Sequence, residues 1–277
     1  MGERKHQFKE QCIGVLGAGR FGRAFLEGVV RTQLCTLDQL WASARSEKNL
    51  KMVETMGVRA VADFEKYISE SSILILSVKP AQIEEVLEKI NSIPSSHRVL
   101  LISVAAGTSC SKIENILKYP WPVIRAMPNS PCGIGEGITA LCKGSRATDA
   151  DLKIASKLFD TLGATLITEE KHFDLVTALS GSGPAYFYSV MEAMIEAGVA
   201  GGMTKEDVIK LVAQTARGAG TMVLNSERTP DDLRKDVATP GGCTMAALKI
   251  LESKELNDSI IEAVREAARV AAKLGSK

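Results

Sequence analysis

Through the first 168 residues, short apolar runs alternate with longer stretches whose apolar positions recur every three or four residues. The runs occupy residues 12–17, 39–44, 73–78, 99–104, 123–127, 138–142 and 164–167. Stretches of four such as residues 73–76 and 99–102 are apolar without a break, not at every second position, which predicts strands covered on both faces, as in a parallel sheet. Residues 20–31, 46–56, 81–90, 109–117 and 148–162 read as the intervening helices. Thr148, followed three positions later by Asp151, predicts a capping box, and Gly163 the matching stop. The pattern over residues 1–168 is that of a doubly wound α/β domain.

Past Glu169 the strand pattern disappears. Helices are expected from Asp174, Thr204, Thr229-Pro230, Thr244 and Asn257; Pro is tolerated in a first turn because the amide hydrogen it lacks has no partner there. Residues 169–277 therefore read as an all-α domain, with Ala193, Ala197, Gly198 and Ala200 allowing helices to approach closely. Small side chains bury little area each, so a helical domain of about 100 residues built this way is marginal alone. Association with a second copy through these helices is the expected remedy. Met191, Met194, Tyr186 and Tyr188 are expected to pack within it.

Composition narrows the partners. The 34 Lys and Arg residues balance 33 Asp and Glu, so no net field steers the chain onto nucleic acid or an anionic membrane. No apolar run is long enough to cross a bilayer. The opening Met1-Gly2-Glu3-Arg4-Lys5-His6 has neither the apolar core of a secretory signal nor the acid-free character of a transit peptide, which makes the cytoplasm the expected location. The six cysteines form no C-x-x-C pair and the three histidines are scattered, so no metal site is expected.

One motif sets the chemistry of the first domain. Gly17-Ala18-Gly19-Arg20-Phe21-Gly22 follows the first strand, ending at Leu16, and opens the first helix, which is the dinucleotide fingerprint in its required setting. Gly17 makes the turn, Gly19 admits the pyrophosphate and Gly22 lets helix meet strand, so the α/β domain is expected to be Rossmann-type. An NAD enzyme would place a carboxylate after the second strand. Here Ser43, Arg45 and Ser46 stand there, suited to a 2′-phosphate; the alternative is that Arg45 is a solvated charge. NADPH is the expected cofactor, with NADH possible. Val78, Lys79, Val104, Ala105 and Ala106 end two further strands, where ligands of open α/β sheets sit, and Lys79 is expected to meet an anion.

Two more glycine-containing stretches lie in the helical part. One is Leu179-Ser180-Gly181-Ser182-Gly183-Pro184-Ala185-Tyr186, and the other Thr239-Pro240-Gly241-Gly242-Cys243-Thr244. Flexible amides followed by Thr at a helix start form either an anion site sized for a carboxylate or a plain helix cap. Together with Val78-Lys79-Pro80, Val104-Ala105-Ala106-Gly107 and Met127-Pro128-Asn129, these stretches resemble the pyrroline-5-carboxylate reductase family along essentially the whole chain. The resemblance implies a Rossmann domain, an interlocked helical dimerisation domain, assembly of dimers into larger homo-oligomers, and reduction of 1-pyrroline-5-carboxylate to L-proline by NADPH or NADH. It also implies that Gly241, Gly242, Cys243 and Thr244 meet the substrate near a dimer interface, with Thr239 nearby and Glu170 at the edge of the site. Thr244 is the residue expected to act in catalysis, by positioning. Cys243 stands where the family usually has Thr or Ala, and Asp236 and Phe64 where some members have a cofactor-contacting Asn.

Two rivals remain at this stage. Another reductase of the same build would be expected to carry a Lys–Asn pair in the first interdomain helix, which residues 176–188 lack. A nucleotide-binding scaffold without turnover would be separated by an assay.

Overall fold

The computed structural model describes residues 8, 11–94 and 97–275; His6 lies outside them. The first elements are β1 (Ile13–Leu16), α1 (Arg20–Thr32), β2 (Leu40–Ser43), α2 (Glu47–Glu54), β3 (Arg59–Val61), α3 (Glu65–Ile68), β4 (Ile73–Leu76) and α4 (Ile83–Ser92). There follow β5 (Leu100–Ser103), α5 (Cys110–Ile116), β6 (Val123–Pro128), β7 (Gly137–Lys143), α6 (Asp149–Phe159) and β8 (Gly163–Ile167). The helical part comprises α7 (Phe173–Val176), α8 (Gly183–Ala200), α9 (Lys205–Leu224), α10 (Pro230–Val237), α11 (Cys243–Ser253) and α12 (Leu256–Gly275).

Among the described residues, eight strands form one sheet in the order β3-β2-β1-β4-β5-β6-β7-β8. Every position of β1, β2, β4 and β5 is buried, which is why these strands are apolar at consecutive positions, with only the closing Ser43 and Ser103 polar. Alternate residues divide between the faces: Ile13, Val15, Ile73 and Ile75 pack with Phe25 and Phe159, whereas Leu16, Leu74 and Leu76 pack with Trp41 and Trp121. The sheet is not wholly parallel as expected, because β7 runs antiparallel to β6. Only the turn around Ser130–Ile134 joins them, and a parallel crossover needs a dozen or more residues. The short edge strand β3 has no apolar run and is not legible in the pattern.

The expected capping box forms at α6 and extends into tertiary structure. The Thr148 amide donates to Asp151 Oδ2 at 2.8 Å, the Asp151 amide donates to Thr148 Oγ1 at 3.3 Å, and Arg98 Nη2 donates to both Asp151 oxygens at 2.6 and 2.7 Å. Burial raises the Asp151 pKa, but Arg98 and Thr148 outweigh it and hold the carboxyl below its ordinary value. A depressed carboxyl stabilises the folded state above the unfolded pKa and loses that contribution as pH falls through the folded one. Asp151→Asn is therefore expected to cost about 1–2 kcal/mol at neutral pH. Urea titrations of the two proteins should converge at pH values below about 4.

The chain divides into two compact units, one of Met1–Ser182 with Ala267–Lys277 and the other of Gly183–Glu266. The expected division after residue 168 thus differs from the compact units. Residues after it belong with the sheet because Phe173 is fully buried in the sheet's core. At the far end of the chain, Gly275 lies so close to Gly107 that a Cβ on Gly107 would stand 3.2 Å from its Cα. In the second unit α8 and α9 pack where Gly198 meets Val208; a Cβ on Gly198 would lie 2.7 Å from Val208 Cγ1. Tyr188 and Met194, expected to pack, are exposed instead, as are Phe187, Met222 and Ile250. The unit has more apolar side chains than its own interior can cover.

Candidate active site

The glycine fingerprint folds into a tight loop between β1 and α1. The Gly17 and Ala18 amides donate to the Ser43 carbonyl at 3.1 and 2.7 Å, and the Gly19 amide donates to the Gly17 carbonyl at 2.8 Å. Gly17 has φ +103°, and a Cβ there would lie 2.8 Å from the Ser77 carbonyl oxygen, so no other residue fits. A Cβ on Gly22 would meet the Gly17 carbonyl oxygen at 2.4 Å, which is the close helix–strand approach expected of it. Gly19 is different: nothing lies within 4 Å of the Cβ it lacks. It is the cap of α1 and supplies no side-chain hydrogen bond, so the first-turn amides, Arg20 and Phe21 among them, are open to an anion.

Other residues of the loop are scaffolding. Leu16 and Ala18 are fully buried, and the Phe21 ring stacks on Phe159 with centroids 6.2 Å apart. Arg23, which no motif marks, donates to the Ala18 carbonyl at 3.1 Å and to Asn49 Oδ1 at 2.7 Å, tying the loop to α2. Its partner lies 26 residues away, and nothing local signals the pairing.

The remaining cofactor candidates gather at the carboxyl ends of β2, β4 and β5. Ser43 is buried and contributes its carbonyl to the glycine loop, while Ser46 Oγ caps α2 by accepting from the Asn49 amide at 3.3 Å. Arg45 Nη2 stands 2.5 Å from Glu85 Oε2; its guanidinium is exposed to solvent and carries this one ion pair among the described residues. Val78 and Lys79 follow β4; Lys79 is exposed and, among the described residues, has no ion pair. Val104, Ala105 and Ala106 follow β5, with the Val104 amide donating to the Leu76 carbonyl at 3.0 Å. The strand order reverses between β1 and β4, which is where dinucleotides lie in such sheets. The open Gly19 and the uncapped amides of α1 fit a dinucleotide phosphate.

The second glycine loop lies in the other unit, between α10 and α11. Gly241 has φ +74° and open space where a Cβ would be. The Gly242 amide donates to the Thr239 carbonyl at 3.0 Å, and a Cβ on Gly242 would crowd Thr239 Oγ1 at 2.6 Å. Helix α11 begins at Cys243, one residue earlier than expected, with Gly242 as a cap that offers no side-chain bond. Thr244 is thus the second residue of α11, and among the described residues its hydroxyl has no hydrogen-bond partner. Cys243 beside it is exposed. The arrangement presents unclaimed amides and a hydroxyl, a set suited to a carboxylate.

Three candidates have other occupations. Asp236 forms a bidentate pair with Arg228, at 2.5 and 2.9 Å, and this guanidinium holds its carboxyl below the ordinary carboxylate range. Phe64 packs against the core beneath the sheet and brings no polar group to a cofactor. Glu170, expected at the edge of the substrate site, is hydrogen-bonded within the sheet unit. Its Oε1 accepts from the Cys110 amide at 2.8 Å and from Arg125 Nη1 at 3.1 Å. Arg125 is itself buried, with its guanidinium carbon 4.6 Å from the Phe173 ring centroid. The Cys110 and Cys142 thiols and the Glu170 carboxylate lie within 4.8 Å of one another. Contact with Cys142 and burial push the Cys110 thiol up, keeping it protonated, and Arg125 already supplies the cluster's cation.

Residues 170–274 match the family model described as pyrroline-5-carboxylate reductase dimerisation, and residues 12–107 the one described as NADP oxidoreductase, coenzyme F420-dependent. The chain is 35 % identical to a pyrroline-5-carboxylate reductase from Methanosarcina acetivorans, over 97 % of this chain and 100 % of that protein. It is similar in structure to a pyrroline-5-carboxylate reductase from Coxiella burnetii, with a TM-score of 0.90 and 32 % identity over 96 % of this chain and 99 % of that one. The Plasmodium falciparum pyrroline carboxylate reductase, solved with NADP bound, matches with a TM-score of 0.85 and 30 % identity over 98 % of this chain and 99 % of that one.

Proposed function

The chain belongs to the pyrroline-5-carboxylate reductase family, and from that membership we infer which of its residues carry the reaction. The protein is an NAD(P)H-dependent oxidoreductase that reduces the cyclic imine 1-pyrroline-5-carboxylate to L-proline. The observation that carries this function is similarity along nearly the whole chain, through both the nucleotide-binding and the helical parts. Loss of reduced-nicotinamide absorbance on adding 1-pyrroline-5-carboxylate tests it. An unchanged signal, with NADPH shown to bind, would mean a scaffold without turnover.

Bound NADPH supplies the hydride. Its pyrophosphate is assigned to the loop from Gly17 to Gly22, its 2′-phosphate to Arg45 with Ser43 and Ser46 at the same strand end, and its nicotinamide end to the turns at Val78-Lys79 and Val104-Ala105-Ala106. A protonated imine already accepts hydride readily, so the chain need not provide a strong acid. Its task is orientation, holding the ring so that one carbon faces the reductant. The amides of Cys243 and Thr244 at the start of α11, presented by Gly241 and Gly242 and braced by Thr239, are assigned to the substrate carboxylate. The Thr244 hydroxyl is assigned to the ring nitrogen or carboxylate, as a positioning contact. Thr244→Ala is expected to lower kcat/KM about 5- to 150-fold, the worth of roughly 1–3 kcal/mol for a hydrogen bond to a charged group. An unchanged kcat/KM would remove Thr244 from the mechanism.

The functional domains in this reading are a dinucleotide-binding domain over residues 1–168 and a dimerisation and substrate domain over residues 169–277. The exposed Phe187, Tyr188, Met194 and Ile250 support a homodimer through the helical unit, and the family relationship supports assembly of dimers into a larger homo-oligomer. The unpaired cysteines suit the reducing cytoplasm. Among the described residues, no helix is long and apolar enough to cross a membrane.

A further inference from the structure

A carboxylate already occupies the guanidinium that a 2′-phosphate would take. Glu85 lies in the first turn of α4, the helix after β4, and its Oε2 stands 2.5 Å from Arg45 Nη2, just past the end of β2. Both β2 and β4 pair with β1, from whose carboxyl end the glycine loop departs. The ion pair therefore spans the crevice on the side where the adenosine end of a dinucleotide lies in such sheets. The other Glu85 oxygen, Oε1, stands 3.4 Å from Lys89 Nζ, so the carboxylate keeps a cationic neighbour when Arg45 turns away.

Both partners are exposed, and ion pairs of this kind hold weakly, so the pair opens at little cost. What persists is the charge. A phosphate ester near neutrality carries about two negative charges, and at Arg45 it must share the guanidinium with Glu85 or displace it. A ribose hydroxyl at the same place makes no such demand. We propose that Glu85 is a specificity-determining residue of this enzyme, an internal competitor for Arg45 that limits its preference for NADPH over NADH. The inference rests on the assignment of the 2′-phosphate to Arg45.

The test is the dissociation constant of the full-length protein for NADPH and for NADH, measured for wild type, Glu85→Gln, Arg45→Ala and the double variant. Glu85→Gln is expected to tighten NADPH about three- to tenfold and to change NADH by less than about twofold. In the Arg45→Ala background the same substitution is expected to change neither, because the contested group is gone. Equal tightening of both cofactors, or no change in either, overturns the role of Glu85. If Arg45→Ala alone leaves the ratio of NADPH to NADH affinity unchanged, the assignment of Arg45 fails first, and that outcome is distinct from the failure of Glu85. Because Glu85 is exposed and its side chain lies outside both cores, thermal denaturation should match wild type, which separates a change in selectivity from a change in folding.

Discussion

Gly19→Val is expected to give a protein that folds but binds NADPH at least about a hundredfold more weakly. Gly19 has ordinary extended backbone angles, φ −73° and ψ −159°, so valine meets no backbone prohibition there. Nothing lies within 4 Å of the added Cβ, so the fold supplies no clash. Loss of the glycine from a helix cap costs about 1 kcal/mol or less. The added side chain instead fills the space in front of the first-turn amides of α1, the place proposed above for the pyrophosphate. Losing one or two charge-assisted contacts worth about 1.5–3 kcal/mol each accounts for a hundredfold effect. Gly22→Ala is the internal contrast, since its Cβ would strike the Gly17 carbonyl at 2.4 Å and must cost stability. A cofactor titration paired with a melting curve distinguishes the two. Normal NADPH binding by the valine variant would show that the loop is not the phosphate site.

The largest stability effect is expected at Arg125. Its guanidinium is buried, pairs with Glu170 Oε1 at 3.1 Å and covers the fully buried Phe173 ring. Arg125→Ala leaves a partly buried carboxylate without its cation beside the Cys110 and Cys142 thiols, with a cavity beside an aromatic ring. Breaking a buried pair from one side costs about 3–5 kcal/mol, and the partial exposure of Glu170 puts this case near 3. A fall in the urea midpoint of corresponding size is the readout. Arg125→Met combined with Glu170→Gln should recover a large part of the loss, because an uncharged pair needs no cation. If the single substitution left the midpoint unchanged, the link from Glu170 to the sheet would carry no stability. The same contacts explain why residues following 168 belong with the sheet unit.

Several features of the fold and of the site were legible in the residues themselves. The runs at 73–78 and 99–104 became β4 and β5, every position of which is buried, because both faces of a central strand must be covered. The glycine loop was legible in full, since a positive φ at Gly17 and a close approach at Gly22 are demands on single residues. The start of α11 was legible to within one residue from the glycines before it. Other features were not. Strand β3 is three residues at a sheet edge and carries no pattern of its own. Asp236 read as a departure from a cofactor contact, and its bidentate pairing with Arg228 emerged only when the turn into α10 was formed.

The amino-acid order alone determined most of the strands and helices and the places of the two glycine loops, and its motifs carried the resemblance to the family. The elements and the glycine turns are set by φ preferences, caps or periodicity within a few neighbouring residues. The tertiary structure alone decided the reversed direction of β7, the attachment of residues 169–182 to the sheet unit, and the partners of the charged side chains. Arg45 meets Glu85 across 40 residues, and Arg125 meets Glu170 across 45. A charge pairs with whatever the folded backbone brings within about 4 Å of it, and that distance is not written in any local stretch of chain.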